Sequence, residues 1–208
     1  MAPWDAENRW LDGVFASYAP GAGGDAFPAG AGRILPAGSK LIVQLHYTTT
    51  GRPEVDASRI GIYLSDAIPD TEYLMTGPVN GDIELPAGDG AYEASAEKVF
   101  DVETTLHGLF PHMHFRGKSF TYEAHYPNGD VETILSTPNY NFNWQRSYDL
   151  TTPIDIHPGD EFEMECHWDN SQGNQPIIDG EQAEPGDVAW GEGTGDEMCL
   201  AILYVTAL

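Results

Sequence analysis

Basic residues are scarce in this chain. Its 208 residues include nine Lys and Arg against 33 Asp and Glu, which gives a formal net charge of -24. Because nucleic acids and anionic membranes carry charge of the same sign, we expect neither among the partners of this protein. The acidic residues form no Asp-x-Asp-x-Asp-Gly loop of the EF-hand type, so a calcium site is a minor alternative.

Long apolar runs and helical periodicity are also missing. No apolar stretch approaches the roughly 20 residues that a membrane-spanning helix needs. The N-terminus lacks the basic and apolar regions of a signal peptide, which by itself favours an intracellular chain or an excised piece. The 23 Gly and 15 Pro separate short apolar runs, a pattern typical of an all-β chain with many turns.

The short apolar runs predict many strands joined by turns. Asn128-Gly129 is a tight hairpin turn between two of them, because Asn-Gly readily adopts positive φ angles. The fold class predicted is all-β, a single antiparallel β-sandwich of jelly-roll type over residues 33–208, preceded by a Gly- and Pro-rich arm or linker over residues 1–32. The predicted strands cover residues 40–47, 59–64, 92–100, 102–114, 119–126, 130–135, 144–150, 161–168 and 197–206.

Two histidines and a distant methionine are the candidate metal ligands. His112 and His114 are two residues apart, so on an extended strand both imidazoles point to the same side. Imidazole alone suits copper, zinc, iron or nickel. Met198 narrows this choice, because an uncharged sulfur prefers Cu(I) and is a poor ligand for zinc, calcium or magnesium. Taken separately, a His-x-His and a Met in an apolar strand are also common in ordinary protein cores.

Cysteine is limited to Cys166 and Cys199. The two thiols are either free and buried or joined in a disulfide, and both lie in predicted strands. A disulfide would fix the strand that carries Met198 to a neighbouring strand, and it would favour an oxidising compartment.

Ordered landmarks along the chain give a resemblance to a known family. From residue 27 to residue 208 the chain resembles the C-terminal catalytic domain of the copper type II, ascorbate-dependent monooxygenases, the group of peptidylglycine α-hydroxylating and dopamine β-monooxygenases, and is closer to their bacterial members. The landmarks are Gln-Leu-His-Tyr at 44–47, His-Met-His-Phe-Arg-Gly-Lys at 112–118, Asn-Phe-Asn-Trp-Gln at 141–145, Asp-Asn-Ser at 169–171 and Glu-Met-Cys at 197–199.

The resemblance implies a ligand set and a partner. The oxygen-activating copper would be held by His112, His114 and Met198, and the family's disulfide maps onto Cys166 and Cys199. A second copper in that family has three His ligands, two of them adjacent in a preceding domain and the third at the position of His46. Because this chain contains no His-His pair, the resemblance implies an upstream domain that carries the other ligands of the second copper.

The activity implied is a copper-dependent monooxygenation: O2 and an ascorbate-like reductant hydroxylate a C–H bond of a small organic substrate. This chemistry requires no side-chain acid or base, so we predict no catalytic residues beyond the metal ligands. The resemblance and the implied disulfide together favour a bacterial protein of the periplasm or the cell exterior.

Two positions depart from the family pattern. Family members that hydroxylate peptides have an Arg and a Tyr where this chain has Phe110 and Ile202. A peptide ending in glycine is therefore disfavoured as the substrate. As pocket residues, Phe110 and Ile202 would favour an apolar or aromatic small molecule; the alternative is that both are ordinary core residues.

Two other classes of function stay open at this point. The first is a copper-binding module without turnover, which agrees with the missing His-His pair. The second is a jelly-roll module for carbohydrate binding or adhesion, in which Trp144, Trp168 and Trp190 would serve as stacking surfaces. His167, next to Cys166, is a candidate outer hydrogen-bond partner for a metal ligand.

Overall fold

A computed structural model describes residues 14–18, 27–47, 50–178 and 181–207 of the chain. Regular structure in these residues consists of β-strands and two single-turn 3-10 helices. The strands are β1 (Ala31–Gly32), β2 (Thr71–Thr76), β3 (Val79–Asn80), β4 (Glu84–Leu85), β5 (Tyr92–Val99), β6 (Thr104–His112), β7 (Gly117–His125), β8 (Val131–Thr137), β9 (Tyr148–Ile156), β10 (Glu161–Trp168), β11 (Ile177–Ile178), β12 (Glu181–Gln182), β13 (Val188–Ala189) and β14 (Cys199–Ala207). The 3-10 helices cover Phe142–Trp144 and Gln172–Asn174.

Two sheets pack face to face and enclose the core. The first has the order β1-β2-β14-β6-β9 and the second the order β5-β10-β7-β8. Leu106 and Leu203 of the first sheet pack in one buried cluster with Phe120, Phe162 and Met164 of the second. The antiparallel β-sandwich predicted from the sequence is therefore confirmed.

The predicted hairpin is present between β7 and β8. The strands pair in antiparallel register from Phe120 opposite Thr137 to His125 opposite Val131. Gly129 in the turn has φ of 90°, the left-handed conformation that glycine adopts without steric cost. This turn chemistry explains why the sequence located the hairpin correctly.

Two predicted strands are wrong. Residues 40–47 and 59–64 contain no strand, and their apolar side chains face solvent: Ile42 is 94% exposed and Tyr63 fully so. A strand needs a hydrogen-bonded neighbour, and no described strand pairs with either segment. An alternating pattern predicts that one face of a segment can be buried. It does not predict whether a partner strand is available to pair with the segment.

Two smaller differences concern the start of one strand and a strand that was not predicted. The strand predicted over residues 144–150 begins only at β9, because Trp144 ends a 3-10 helix whose first turn is capped by the side chain of Asn141. Strand β2 was not predicted, although it pairs with the central strand β14. Its sequence mixes polar and apolar residues, since only Tyr73 and Met75 are buried.

The predicted arm over residues 1–32 is described in part. Residues 1–13 and 19–26 lie outside the described residues. Within the arm, β1 pairs in parallel with β2, so the end of the arm is joined to the first sheet. The division at residue 32 stays a prediction. The described residues include no helix long and apolar enough to cross a membrane.

Candidate metal centre

His112 and His114 lie together at the end of a central strand. His112 is the last residue of β6, and His114 follows in the turn that leads into β7. Their ring centres are 5.2 Å apart and the ring planes are nearly perpendicular, at 87°. Two imidazoles that bind one metal through nitrogen, at bond lengths of about 2.0 Å and a tetrahedral angle, have ring centres roughly 5 Å apart.

The tautomer of His112 is fixed by Gln145. The Nδ1–H of His112 donates to Gln145 Oε1 at 2.7 Å. The amide of Gln145 is itself oriented, because its Nε2 donates to the Phe142 carbonyl at 3.0 Å. The oxygen must therefore face His112, which leaves the Nε2 lone pair of that imidazole for a metal.

The tautomer of His114 is fixed in the same way by a backbone group. Its Nδ1–H donates to the carbonyl of Asp196 at 2.9 Å. A carbonyl only accepts hydrogen bonds, so Nδ1 carries the proton and Nε2 keeps its lone pair. Both imidazoles thus offer the same nitrogen, and in both the opposite nitrogen is held by an outer partner.

Burial favours the neutral form of both rings. Desolvation lowers the pKa of His112 to about 4, and the charge of His114 contributes to that shift. Burial is also the main cause of the lowered pKa of His114. Because a metal binds neutral imidazole, neither ring must lose a proton at neutral pH before it binds.

Met198 lies on the same face of the first sheet as His112. In the ladder between β6 and β14, Leu200 is opposite His112, and Met198 precedes Leu200 by two residues. Met198, Leu200 and Phe110 belong to one buried cluster, and the Phe110 ring stacks on His112 at 6.1 Å. The ladder ends at His112 and its partner, and both His114 and Met198 lie two residues beyond this pair, next to the same ends of β6 and β14.

These residues fit a copper ion by their donor chemistry. Two imidazole nitrogens with free lone pairs and one thioether form a neutral and partly soft set. Cu(I) is the biological cation that such a set suits best, whereas zinc and magnesium favour charged or harder ligands. Met198 as a whole residue is 3% exposed, so its sulfur is largely shielded from bulk water.

Polar groups hold the chain from Met113, between the two histidines, to Arg116 in the turn that leads into β7. The hydroxyl of Tyr140 donates to the Met113 carbonyl at 2.6 Å and accepts from the Met113 N–H at 3.1 Å. Glu197 lies beside the same turn, and burial raises the pKa of its carboxyl to about 7 against the opposing effect of its hydrogen bonds to Arg116, His114 and Trp168. The turn is thus fixed at its centre and at its far end.

The predicted disulfide is confirmed. Cys166 of β10 and Cys199 of β14 are joined, with their Cα atoms 6.1 Å apart. The alternative of two free buried thiols is excluded, since Cys166 and Cys199 are the cysteines of this chain. Because Cys199 follows Met198 directly, the bridge fixes the strand end that carries the sulfur to the opposite sheet.

The other predicted site residues occupy distinct places. His46 is exposed, and its charge contributes to lowering the pKa of both His112 and His114, so it lies within electrostatic range of the pair. Phe110 and Ile202 are paired directly across β6 and β14 and are almost completely buried beside His112.

His167 and Trp168 lie where they cannot have the roles considered for them, whereas Trp144 is exposed. The imidazole of His167 lies on the outer face of β10, with Nε2 2.9 Å from Glu165 and Nδ1 3.5 Å from Glu93. Trp168 is fully buried in the core, so it cannot serve as a stacking surface. Trp144 is 66% exposed and lies against the guanidinium of Arg146.

Sequence reasoning missed the residues that orient the ligands. Gln145 and the Asp196 carbonyl set the two tautomers, and Glu197 binds the turn between the strands. Chemistry predicts that an imidazole that binds a metal has an outer hydrogen-bond partner, but it does not say which residue that partner is. The sequence does not identify these partners, because they lie 33 to 83 residues away from the histidines in the chain.

The fold and the site together define a class of protein: a β-sandwich domain that presents two neutral imidazoles beside a buried thioether. Residues 93–207 match the family model described as "Copper type II ascorbate-dependent monooxygenase, C-terminal domain". That match covers more than half of the chain, and the chain belongs to this family.

Relatives from mammals agree with this membership. The chain is 27% identical over 187 residues to the human protein named "Putative DBH-like monooxygenase protein 2", a match that covers 81% of the chain and 35% of the human protein. It is 40% identical over 58 residues to mouse "DBH-like monooxygenase protein 2", which covers 27% of the chain and 9% of the mouse protein. The chain thus spans about a third of the length of the human relative.

Proposed function

We propose that this chain is the oxygen-activating copper domain of a monooxygenase, with His112, His114 and Met198 as the ligands. The observation that carries the proposal is the pair of imidazoles at the end of β6, with ring centres 5.2 Å apart and each held by its Nδ1–H with Nε2 free. The buried thioether of Met198 lies next to the start of the neighbouring strand β14. A structural site for zinc would need charged or further nitrogen ligands, which this thioether does not supply.

The proposed reaction inserts one oxygen atom into a C–H bond. The substrate R–H, O2, two electrons and two protons give R–OH and water, and an ascorbate-like reductant supplies both electrons. Copper, when bound, supplies the one-electron chemistry with O2 that side chains cannot perform. The protein's own contribution is to hold His112, His114 and Met198 in place and to keep Met198 away from bulk water.

Phe110 and Ile202 support an apolar or aromatic substrate. They lie side by side next to His112, and neither carries charge. A carboxylate-bearing peptide would find no cationic partner in this pair. Because both side chains are almost completely buried, they would contact a substrate only after a local movement of the protein. The proposed substrate is therefore a small apolar or aromatic molecule rather than a peptide.

An upstream domain is the proposed partner. The segments over residues 40–47 and 59–64 expose large apolar side chains, among them Ile42 and Tyr63, to an extent unusual for a free surface. His46 lies within one of these segments and within electrostatic range of His112 and His114. We propose that the partner domain covers these segments and completes a second copper site at His46.

An oxidising compartment fits the disulfide of this chain. Disulfides persist in the periplasm and outside cells and are rare in the cytosol. We propose a periplasmic or secreted location in a bacterium; the bridge between Cys166 and Cys199 supports the oxidising compartment, and the resemblance to bacterial family members supports the source.

Oxygen consumption tests the proposed function. The copper-loaded chain is mixed with ascorbate and a panel of small aromatic molecules, alone and with an upstream domain added, and O2 uptake and hydroxylated product are measured. His112→Ala with the same amount of copper serves as the control, because free copper itself oxidises ascorbate. Product that depends on His112 supports the proposal. Tight Cu(I) binding with no product, even with the added domain, would favour a copper-binding module without turnover.

A further inference from the structure

Two of the three residues before β14, Asp196 and Glu197, form hydrogen bonds with His114. The carbonyl of Asp196 accepts the ring Nδ1–H of His114 at 2.9 Å, and the carboxylate of Glu197 accepts its backbone N–H at 2.9 Å. Met198, the third residue, carries the sulfur. One short stretch of chain therefore binds both the ring and the backbone of His114 and also carries the sulfur of the proposed metal site.

The carboxylate of Glu197 is the central group of this arrangement. It is completely buried, and its two oxygens accept three hydrogen bonds. Oε2 accepts from the His114 N–H and, at 3.0 Å, from Trp168 Nε1–H, while Oε1 accepts from the Arg116 N–H at 2.7 Å. The turn that contains His114 is thereby joined to the strand that contains Met198 through one rigid group.

The opposite sheet holds the chain on both sides of Met198. Glu197 is bound by Trp168 and Cys199 is bound by Cys166, and both partners belong to β10. The backbone of Met198 is thus attached at the preceding and at the following residue. Met198 therefore cannot shift along the strand unless the buried hydrogen bond of Glu197 or the disulfide of Cys199 breaks.

We propose that Glu197 is a positioning residue for the metal centre: its carboxylate sets the separation between the His114 imidazole and the Met198 sulfur. Glu197 is not one of the proposed ligands; it would act through His114, to which it is hydrogen-bonded, and through Met198, which follows it in the chain. The inference rests on the proposed function for its importance to copper, although the geometry that it describes belongs to the protein without metal. Arg116, whose Nη1 lies 4.0 Å from Glu197 Oε1, supplies the neighbouring positive charge.

Glu197→Gln tests this role with little change in size. Gln keeps one oxygen, so either the Arg116 N–H or the donors at Oε2 must face an NH2 group that cannot accept. We expect Cu(I) affinity to fall by about 10- to 100-fold, as is usual when an outer partner of a ligand is removed. In the metal-free protein we expect faster amide exchange at His114 or Arg116 and a weaker nuclear Overhauser effect between the Met198 methyl group and the His114 ring.

Thr206→Val is the matched control. It removes a hydrogen bond of 2.8 Å to His107 at the other end of the same strand, β14. A loss of general stability alone should affect both variants, whereas the nuclear Overhauser effect and the Cu(I) affinity should change only in Glu197→Gln. If Glu197→Gln does not fold, Trp168→Phe, which removes one donor from the carboxylate, takes its place with the same readouts.

The outcomes separate the inference from the proposed function. A folded Glu197→Gln protein with wild-type amide exchange, Overhauser effect and Cu(I) affinity would overturn the positioning role, and so would wild-type values in Trp168→Phe. Altered metal-free readouts together with weaker Cu(I) binding support it. If the wild-type chain binds no Cu(I) while Glu197→Gln still loses the Overhauser effect, the positioning role stands and the proposed function fails.

Discussion

At the scale of single residues, the sulfur of Met198 is the proposed ligand that would decide which metal the site prefers. Two imidazoles alone accept several divalent ions, and only the thioether favours Cu(I). The Met198 side chain packs among apolar residues in the cluster of Phe110, Leu200 and Ile202. Its shape can therefore be preserved while its donor atom is removed.

Met198→Ile is expected to weaken Cu(I) binding by at least about tenfold, which corresponds to roughly 1.4 kcal/mol. A swap between apolar side chains of similar volume usually costs less than about 1.5 kcal/mol of stability, so the fold should persist. Competition with a chromophoric Cu(I) chelator measures the affinity. Met164→Ile, the same change in the sandwich core, is the control. Unchanged affinity in Met198→Ile would mean that the sulfur serves only packing.

His157 offers a second test, away from the metal centre. Its Nδ1 lies 2.8 Å from Glu103 Oε2, and this hydrogen bond, with the charge of Glu103, raises the pKa of His157 above its usual value. The pair therefore stabilises the folded state below the ordinary histidine pKa of about 6.5, and that contribution is lost as pH rises through the raised value. An NMR titration should give a higher pKa for His157 in the wild type than in Glu103→Gln. Equal values would contradict this assignment.

The site residues also show what a sequence can predict. Histidine and methionine have metal-binding chemistry of their own, so His112, His114 and Met198 can be proposed as ligands from residue type, spacing and the family resemblance, and this ligand set stays a prediction. Gln145 and Glu197 are common residue types whose function comes only from their neighbours. Their roles depend on contacts between distant parts of the chain, which no local pattern encodes.

At the scale of elements, strands β10 and β14 hold the chain around Met198 in the candidate metal centre. They belong to opposite sheets and are joined by the Cys166–Cys199 disulfide and by the hydrogen bond from Trp168 to Glu197. Met198 lies between these two attachments. The stability of this pair of strands and the placement of the sulfur therefore depend on the same contacts.

Replacing both cysteines by Ala is expected to lower the free energy of unfolding by about 2 to 4 kcal/mol, since the bridge closes a loop between residues 33 positions apart. Urea denaturation of the double variant and the wild type measures the difference. Addition of a reductant should also destabilise the wild type, but by less than the double replacement does. A double variant as stable as the wild type would contradict the proposed importance of the bridge.

Strand prediction succeeded where both the pattern and the partner lie within the sandwich. β5, β6, β7, β8 and β10 have alternating or apolar sequences and hydrogen-bonded neighbours. Residues 40–47 have an equally good pattern and no described partner strand, and they form no strand. Local periodicity thus predicts burial on one face, whereas the hydrogen-bonded ladder depends on the rest of the molecule.

At the scale of the whole molecule, the net charge of -24 places acidic side chains next to one another on the surface. On the outer face of the second sheet, Glu163 lies directly opposite Glu97 on one side and Glu123 on the other. His125 Nε2 lies 3.5 Å from Glu163, and that imidazole is a counter-charge only when it is protonated. Like charges in direct cross-strand register destabilise a sheet.

Glu163→Gln is expected to raise the free energy of unfolding by about 0.2 to 1 kcal/mol at low salt and pH 8. The gain should shrink as salt is added, because ions screen the repulsion between exposed carboxylates. Urea denaturation at two salt concentrations checks this, with Glu181→Gln, an exposed glutamate of β12, as the control. A destabilised Glu163→Gln protein would contradict the assignment of repulsion to this row.

X-ray absorption of the Cu(I)-loaded chain tests the central claim most directly, because it reports the atoms bound to the metal. We expect two imidazole nitrogens and one sulfur around copper in the wild type, and loss of the sulfur alone in Met198→Ile. A wild-type spectrum without sulfur, or one whose imidazole signal survives replacement of both His112 and His114, would contradict the proposed centre.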